Sequence, residues 1–133
     1  METQVLFKIT CCKIEYIPES DYLIIRWYGF PKSNEFRQAC DMALNYMIEL
    51  NIKKLLTDNR EVKVFGVSDQ KWLNEEWFPK ALALGYYASA TLISNDVFVK
   101  SAISKIISTR KDSKVRNKSF NNEIDALNWL NSI

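Results

Sequence analysis

The chain of 133 residues contains no histidine. That removes the side chain whose charge changes near neutral pH and the commonest metal ligand. It also leaves Cys11, Cys12 and Cys40 without an imidazole base for nucleophilic catalysis. Three cysteines are an odd number, and none are paired at metal spacing. Cys11 and Cys12, as strand neighbours, would point to opposite faces, so the expectation is reduced cysteines that pack as small hydrophobes, with neither a disulfide framework nor a zinc site. With only three glycines the chain has no glycine-rich phosphate loop. The expectation is accordingly no metal and no cofactor.

Long apolar runs are missing as well. No window approaches the roughly 18 uninterrupted apolar residues of a membrane span, and Met1-Glu2-Thr3-Gln4 does not open a basic region followed by an apolar stretch. These features predict a cytoplasmic location. The length fits one domain over residues 1–133, with 47% hydrophobic and 26% charged residues as in ordinary globular chains.

Alternating apolar residues from Val5 to Cys11 fall on odd positions, whereas Cys12, Ile14 and Tyr16 continue on even ones. The parity change predicts a bulge or a chain reversal at Cys11–Cys12. Pro18-Glu19-Ser20-Asp21 then reads as the turn of a hairpin leading into Tyr22–Trp27, a run apolar on both parities and so covered on both faces. Ser33 is placed as the cap of a helix whose Phe36, Ala39, Cys40, Ala43, Leu44, Met47 and Leu50 form one stripe, with Asn51 at its end. Phe36, Leu44, Leu55, Leu92 and Ile103 are the expected core, and Leu44→Ala is expected to cost about 2–5 kcal/mol on that reading.

A short buried strand Lys54–Asp58 would release Asp58-Asn59-Arg60 at its carboxyl end, where open α/β sheets bind ligands. An Asp58–Arg60 ion pair is the plainer reading. Residues 61–67 form an apolar loop with Val62, Val64 and Phe65, expected to fold back on the body or meet a partner. Ser68 caps the next helix, Pro79 kinks or restarts it, and Gly85 stops it. Trp72 and Trp77, about 140° apart on a regular helix, cannot both face the sheet, which makes Trp77 the core residue and Trp72 either a loop cover or a binding surface. Tyr87–Ile93 is the next strand. A helix capped by Ser94-Asn95-Asp96 follows, with Val97, Ala102, Ile103, Ile106 and Ile107 as its core face; a polar edge strand lies within Lys111–Ser119, and a last helix carries Ile124, Leu127, Trp129 and Leu130.

Charge is uneven although the net is only +2: Lys100 to Lys118 holds seven basic residues against one acidic. Arg110, Lys111, Lys114 and Arg116 are candidates for an anion patch, but no aromatic side chains are interleaved with them, so a solvated face is the plainer reading and no specific nucleic acid is expected.

Asp58-Asn59-Arg60, Trp77-x-Pro79, Gly85, the strand around Ala90, Asp96-x-Phe98 with Ser101, and Phe120 followed by Asp125-Ala126-x-x-Trp129-Leu130 form a series. It resembles the SpoIIAA-like or STAS-like proteins, relatives of bacterial anti-sigma-factor antagonists. The resemblance implies an α/β fold: a mixed sheet with an N-terminal antiparallel hairpin and consecutive parallel strands joined by helices. In switching members of that family a serine after a central strand is phosphorylated to control a protein partner; here Asn59 stands at the tip and no serine occupies the matching place, Ser68 being the nearest candidate hydroxyl beyond it. The function so implied is a non-enzymatic interaction module with a protein partner, using Asp58, Asn59, Arg60, Phe65, Ser68 and Trp72, with homodimerisation left open. The same superfold also resembles lipid-binding CRAL/TRIO domains, which gives the alternative of an apolar-ligand pocket beneath residues 68–84.

Overall fold

The computed structural model describes residues 2–133 of the chain. Strands β1 (Gln4–Ile9), β2 (Cys12–Tyr16) and β3 (Tyr22–Gly29) form an antiparallel meander, and β4 (Lys54–Val62), β5 (Ala88–Leu92) and β6 (Arg116–Phe120) extend it in parallel. Spatial order equals chain order from β1 to β6. The parity change at Cys11–Cys12 is a chain reversal, and the Pro18–Asp21 turn holds Glu19 at positive φ. Cys11 sits in the first turn and not on a strand, so the opposite-face argument does not apply to it; Cys11, Cys12 and Cys40 are all buried and free in one cluster.

Parallel strands advancing in one direction through right-handed crossovers must carry every crossover helix on one face. That face is covered by α1 (Ser33–Leu50), by the continuous run α2 (Val67–Trp72), π turn (Leu73–Trp77) and α3 (Phe78–Ala83), and by α4 (Val97–Ser108). The opposite face would lie bare without α5 (Glu123–Ser132), which lays Ala126 and Leu130 on Ile24, Leu56, Ala90 and Leu92. No helix among the described residues is long and apolar enough to cross a membrane.

Helix α1 ends as its sequence indicates, with Asn51 left-handed at φ 53° and its N–H directed at the last carbonyls. Its start differs from expectation. Lys32 occupies the cap position, and the Ser33 hydroxyl instead donates to Asp69 Oδ2 at 2.9 Å, a tertiary bond that withdraws it from its own backbone. Phe36, Leu55, Leu92 and Ile103 are buried as expected, whereas Leu44 is half-buried on the flank of the stripe and Leu50 is exposed at its end. A side chain that keeps part of its surface wet loses less on truncation, so Leu44→Ala should cost under about 2 kcal/mol in a urea melt. A loss above about 3 kcal/mol would put Leu44 back in the core.

The π turn is the local answer to Pro79, which cannot donate a backbone hydrogen bond. It also changes the expected geometry of the two tryptophans. A wider turn brings residues five apart toward one side, and both rings meet α1. Trp72 lies edge-on to Phe36 at 6.3 Å, and Trp77 Nε1 donates to the Cys40 carbonyl at 2.7 Å, one α-turn further along the same stripe. Trp77 is buried, as the sequence predicts; Trp72 is half-buried, with Phe36 and Arg37 of α1 against it. In α4, Asp96 caps through Phe98 and Val99 N–H as expected, but Val97 is exposed in the first turn and Val99 takes its place in the core. Ile124 is likewise exposed in α5, where Ala126 is buried instead.

Candidate functional site

The end of the sheet at which the parallel strands point outward carries three kinds of group: an ion network on the α5 face, a cavity on the α1–α4 face, and an apolar rim between them.

Strand β4 runs on to Val62, so Asp58 and Asn59 lie inside it and not at an emerging tip. This corrects their expected placement, and alternation then sends the two side chains to opposite faces. Asp58 faces α5. It accepts from Arg60 Nε at 3.0 Å and from Arg26 Nη1 at 2.9 Å, so the local Asp58–Arg60 pair exists and is part of something larger. Arg26 also reaches Glu15 at 3.1 Å and Glu123 at 2.6 Å, linking β2, β3, β4 and the first turn of α5. Burial pushes the Asp58 carboxyl up, but hydrogen bonds from Arg60 and Arg26 outweigh it and hold it below the ordinary carboxylate range. With every charge partnered, this cluster is a structural latch. Lys54, at the other end of β4, makes a separate tie by holding Asp21 Oδ2 at 2.7 Å and the backbone oxygens of Leu130 and Ile133.

Asn59 faces the other way, into a cavity of about 90 Å³ between the sheet and the helices. Thr57, Ser89 and Thr91 share that floor, and Leu73, Trp77 and Ile103 contribute to its walls. Arg110 lines it too. This corrects its assignment to a surface patch: Arg110 is 7% exposed, its guanidinium lies 4.2 Å from the Phe78 ring centroid, and its Nε donates to Asn74 Oδ1 at 3.0 Å. Lys111, Lys114 and Arg116 are exposed around the turn into edge strand β6, where charge discourages edge pairing. The cavity does lie beneath the 68–84 segment, but at about 90 Å³ it falls well below the roughly 300–1,000 Å³ of drug-sized sites, which leaves a long lipid chain no room.

The rim is made of side chains that have left the core. Phe30 follows β3, Val64 and Val67 follow β4, Val97 and Phe98 follow β5, and Ile124 follows β6. Nine large apolar side chains are exposed among the described residues, and these six stand at one end of one sheet. Val67 is 83% exposed and Phe98 82%. Phe65, by contrast, folds back into the core onto Trp27 and Phe36, and Gln70 Nε2 holds its carbonyl at 2.8 Å. Ser68 is exposed at the second position of α2, whose cap is Gly66, so it does not cap this helix. Asp69 beside it is buried and fastened to Ser33 and Arg37. The structure thus brings Ser68 to the rim, and moves Phe65, Asn59 and Asp58 inward.

No family model matches the chain, and no curated protein does. Among solved structures, "Structure of the Anti-Sigma Factor Antagonist SpoIIAA in its Unphosphorylated Form" is similar to it with a TM-score of 0.64 and 10% identity, covering 92% of this chain and 97% of that one. The fold is SpoIIAA-like. A second structure with that fold, an uncharacterized protein from the DUF3478 family from Shewanella loihica PV-4, is similar with a TM-score of 0.56 and 17% identity, covering 90% of this chain and 91% of that one. The mixed sheet, hairpin first and parallel strands after, is therefore the SpoIIAA-like architecture that the sequence series implied. What the sequence did not reveal is the role of parity within β4 and β5. Thr57 and Asn59 share the inward parity of Leu55, and Ser89 and Thr91 share an inward parity of their own, so polar residues on the covered face of central strands were the readable sign of a cavity.

Proposed function

We propose that the protein is a non-enzymatic cytoplasmic interaction module that docks a protein partner on the rim at the carboxyl end of its parallel strands. The apolar crown of Phe30, Val64, Val67, Val97, Phe98 and Ile124 carries this reading. Covering the exposed parts of six such side chains would supply roughly 6–13 kcal/mol, comparable to the about 4–15 kcal/mol that association costs, so the crown would offset much of that cost and polar contacts would supply the rest. Isolated surface hydrophobes need no explanation, but six gathered at one end of one sheet call for one. The likeness to an anti-sigma factor antagonist supports a partner that is itself a protein. Arg60, exposed beside the crown, and Ser68 on it would supply the polar margin.

Val67→Glu and Phe98→Glu, combined, test the reading. Both side chains are solvated, so thermal stability should stay within about 0.5 kcal/mol of the parent. Cross-linking in the native host should lose one partner band that a Glu49→Lys control, on exposed α1, retains. Retention of every captured protein by the double variant would remove the crown from consideration. Light scattering on the same pair reads out whether a second copy of the chain is that partner.

A further inference from the structure

Arg110 is a buried cation without a counter-ion. All nine ion pairs among the described residues involve other side chains, and its one hydrogen bond goes to the neutral amide of Asn74. An unpaired charge away from water is costly, and proteins that retain one ordinarily supply an anion. Below it the cavity floor has unused hydrogen-bonding capacity. Asn59 is 3% exposed and Thr91 4%; both line the cavity, and since the one sealed side-chain polar atom without a partner among the described residues is Asn117 Oδ1, their polar groups are open to whatever occupies that space. Thr57, Ser89 and Tyr86 also line it, and the remaining walls, Phe36, Trp77 and Ile103 among them, are apolar.

We propose that this cavity is the binding site of a small organic monocarboxylate, whose carboxylate lies on Arg110 with Asn59 and Thr91 donating to it, and whose apolar body fills the space between Phe36 and Trp77. The charge count selects the head group. One guanidinium balances one negative charge and offers a fork that suits a carboxylate, whereas a phosphate dianion would bring a second charge into an apolar space that holds no second cation. The volume selects the body. A cavity of ~150 Å³ holds benzene, so about 90 Å³ admits only a smaller molecule, an acid of roughly two to four carbons. Leu73 and Ile107 line the cavity and are only half-buried, which places the way in between the π turn and α4. Burial also lowers the Arg110 pKa, and a bound anion would restore it.

The test titrates the intact protein with acetate, propionate and butyrate, and with acetamide, propionamide and butyramide as their uncharged counterparts, by calorimetry and by amide chemical-shift mapping. At least one acid should bind saturably at one site, at least tenfold tighter than its uncharged counterpart, with shifts centred on Asn59, Thr91 and Arg110. Arg110→Met should reduce that affinity at least tenfold. No saturable binding of any acid, shifts confined to other residues, or an amide that binds within tenfold of the acid would each overturn the proposal on the parent protein alone, so it stays testable even if Arg110→Met does not fold.

Discussion

Arg26→Leu should lower the free energy of unfolding by about 3–5 kcal/mol, because it removes the one cation shared by Glu15, Asp58 and Glu123. Glu15 and Asp58 are buried, and losing Arg26 leaves Glu15 with Lys13 alone and Asp58 with Arg60 alone. Part of the effect is then an uncompensated charge and not a missing attraction. A double variant that also carries Glu15→Gln should recover part of the loss, and a guanidinium melt measures both. A change below about 1 kcal/mol for Arg26→Leu alone would reduce the network to surface pairs. The same latch sets the acid limit. Asp58 has a lower pKa folded than unfolded, so its contribution is fully present above the unfolded value near 4 and is lost as pH falls through the folded value. The parent should therefore lose stability toward low pH more steeply than an Asp58→Asn variant, which no longer carries that titration.

Phe36→Ala is expected to be as damaging, at about 3–5 kcal/mol, for an unrelated reason. Its ring stacks on Trp27 at 4.8 Å and meets Phe65 at 5.6 Å and Trp72 at 6.3 Å, so one side chain joins β3, the loop after β4 and the helical run. Truncation opens a hole that three rigid rings cannot close. The near-ultraviolet circular dichroism of Trp27 and Trp72 should collapse with the stability, while the far-ultraviolet signal of the native state persists. A melt within about 1 kcal/mol of the parent would show that the rings close up around the gap.

Much of this architecture is legible residue by residue. Parity located the first reversal, the double-sided apolar run located β3 inside the sheet, and Asn51, Gly85 and Asp96 marked helix ends with side chains or backbone freedom suited to the place. Ser33 and Ser68 misled because a hydroxyl next to a helix start satisfies the capping pattern whether or not it is used there; Asp69 claimed Ser33 from thirty-six residues away. Asp58-Asn59-Arg60 looked like a strand end because charged and amide residues seldom occupy a central strand. Only Arg26 and Arg60 on one face and a cavity on the other make that tolerable. Arg110 belonged by sequence to a basic run, and nothing local to it announces Phe78 or Asn74 as its neighbours. Pairings across that distance are set by tertiary packing, which single-sequence periodicity does not contain.

That spatial order repeats chain order has a consequence in time. Each strand pairs with the one made just before it, so the sheet can be laid down edge to edge as the chain emerges, with each loop closed early and at small entropic cost. Helix α5 is the exception. Its anchors, Arg26 for Glu123 and Lys54 for the Leu130 carbonyl, lie 97 and 76 residues upstream. Until α5 arrives, Arg26 and Lys54 lack the partners it brings, and the apolar surface of Ile24, Leu56 and Leu92 lacks its cover. The nascent chain therefore passes through a stage with one finished face and one sticky one, and the arrival of α5 ends it.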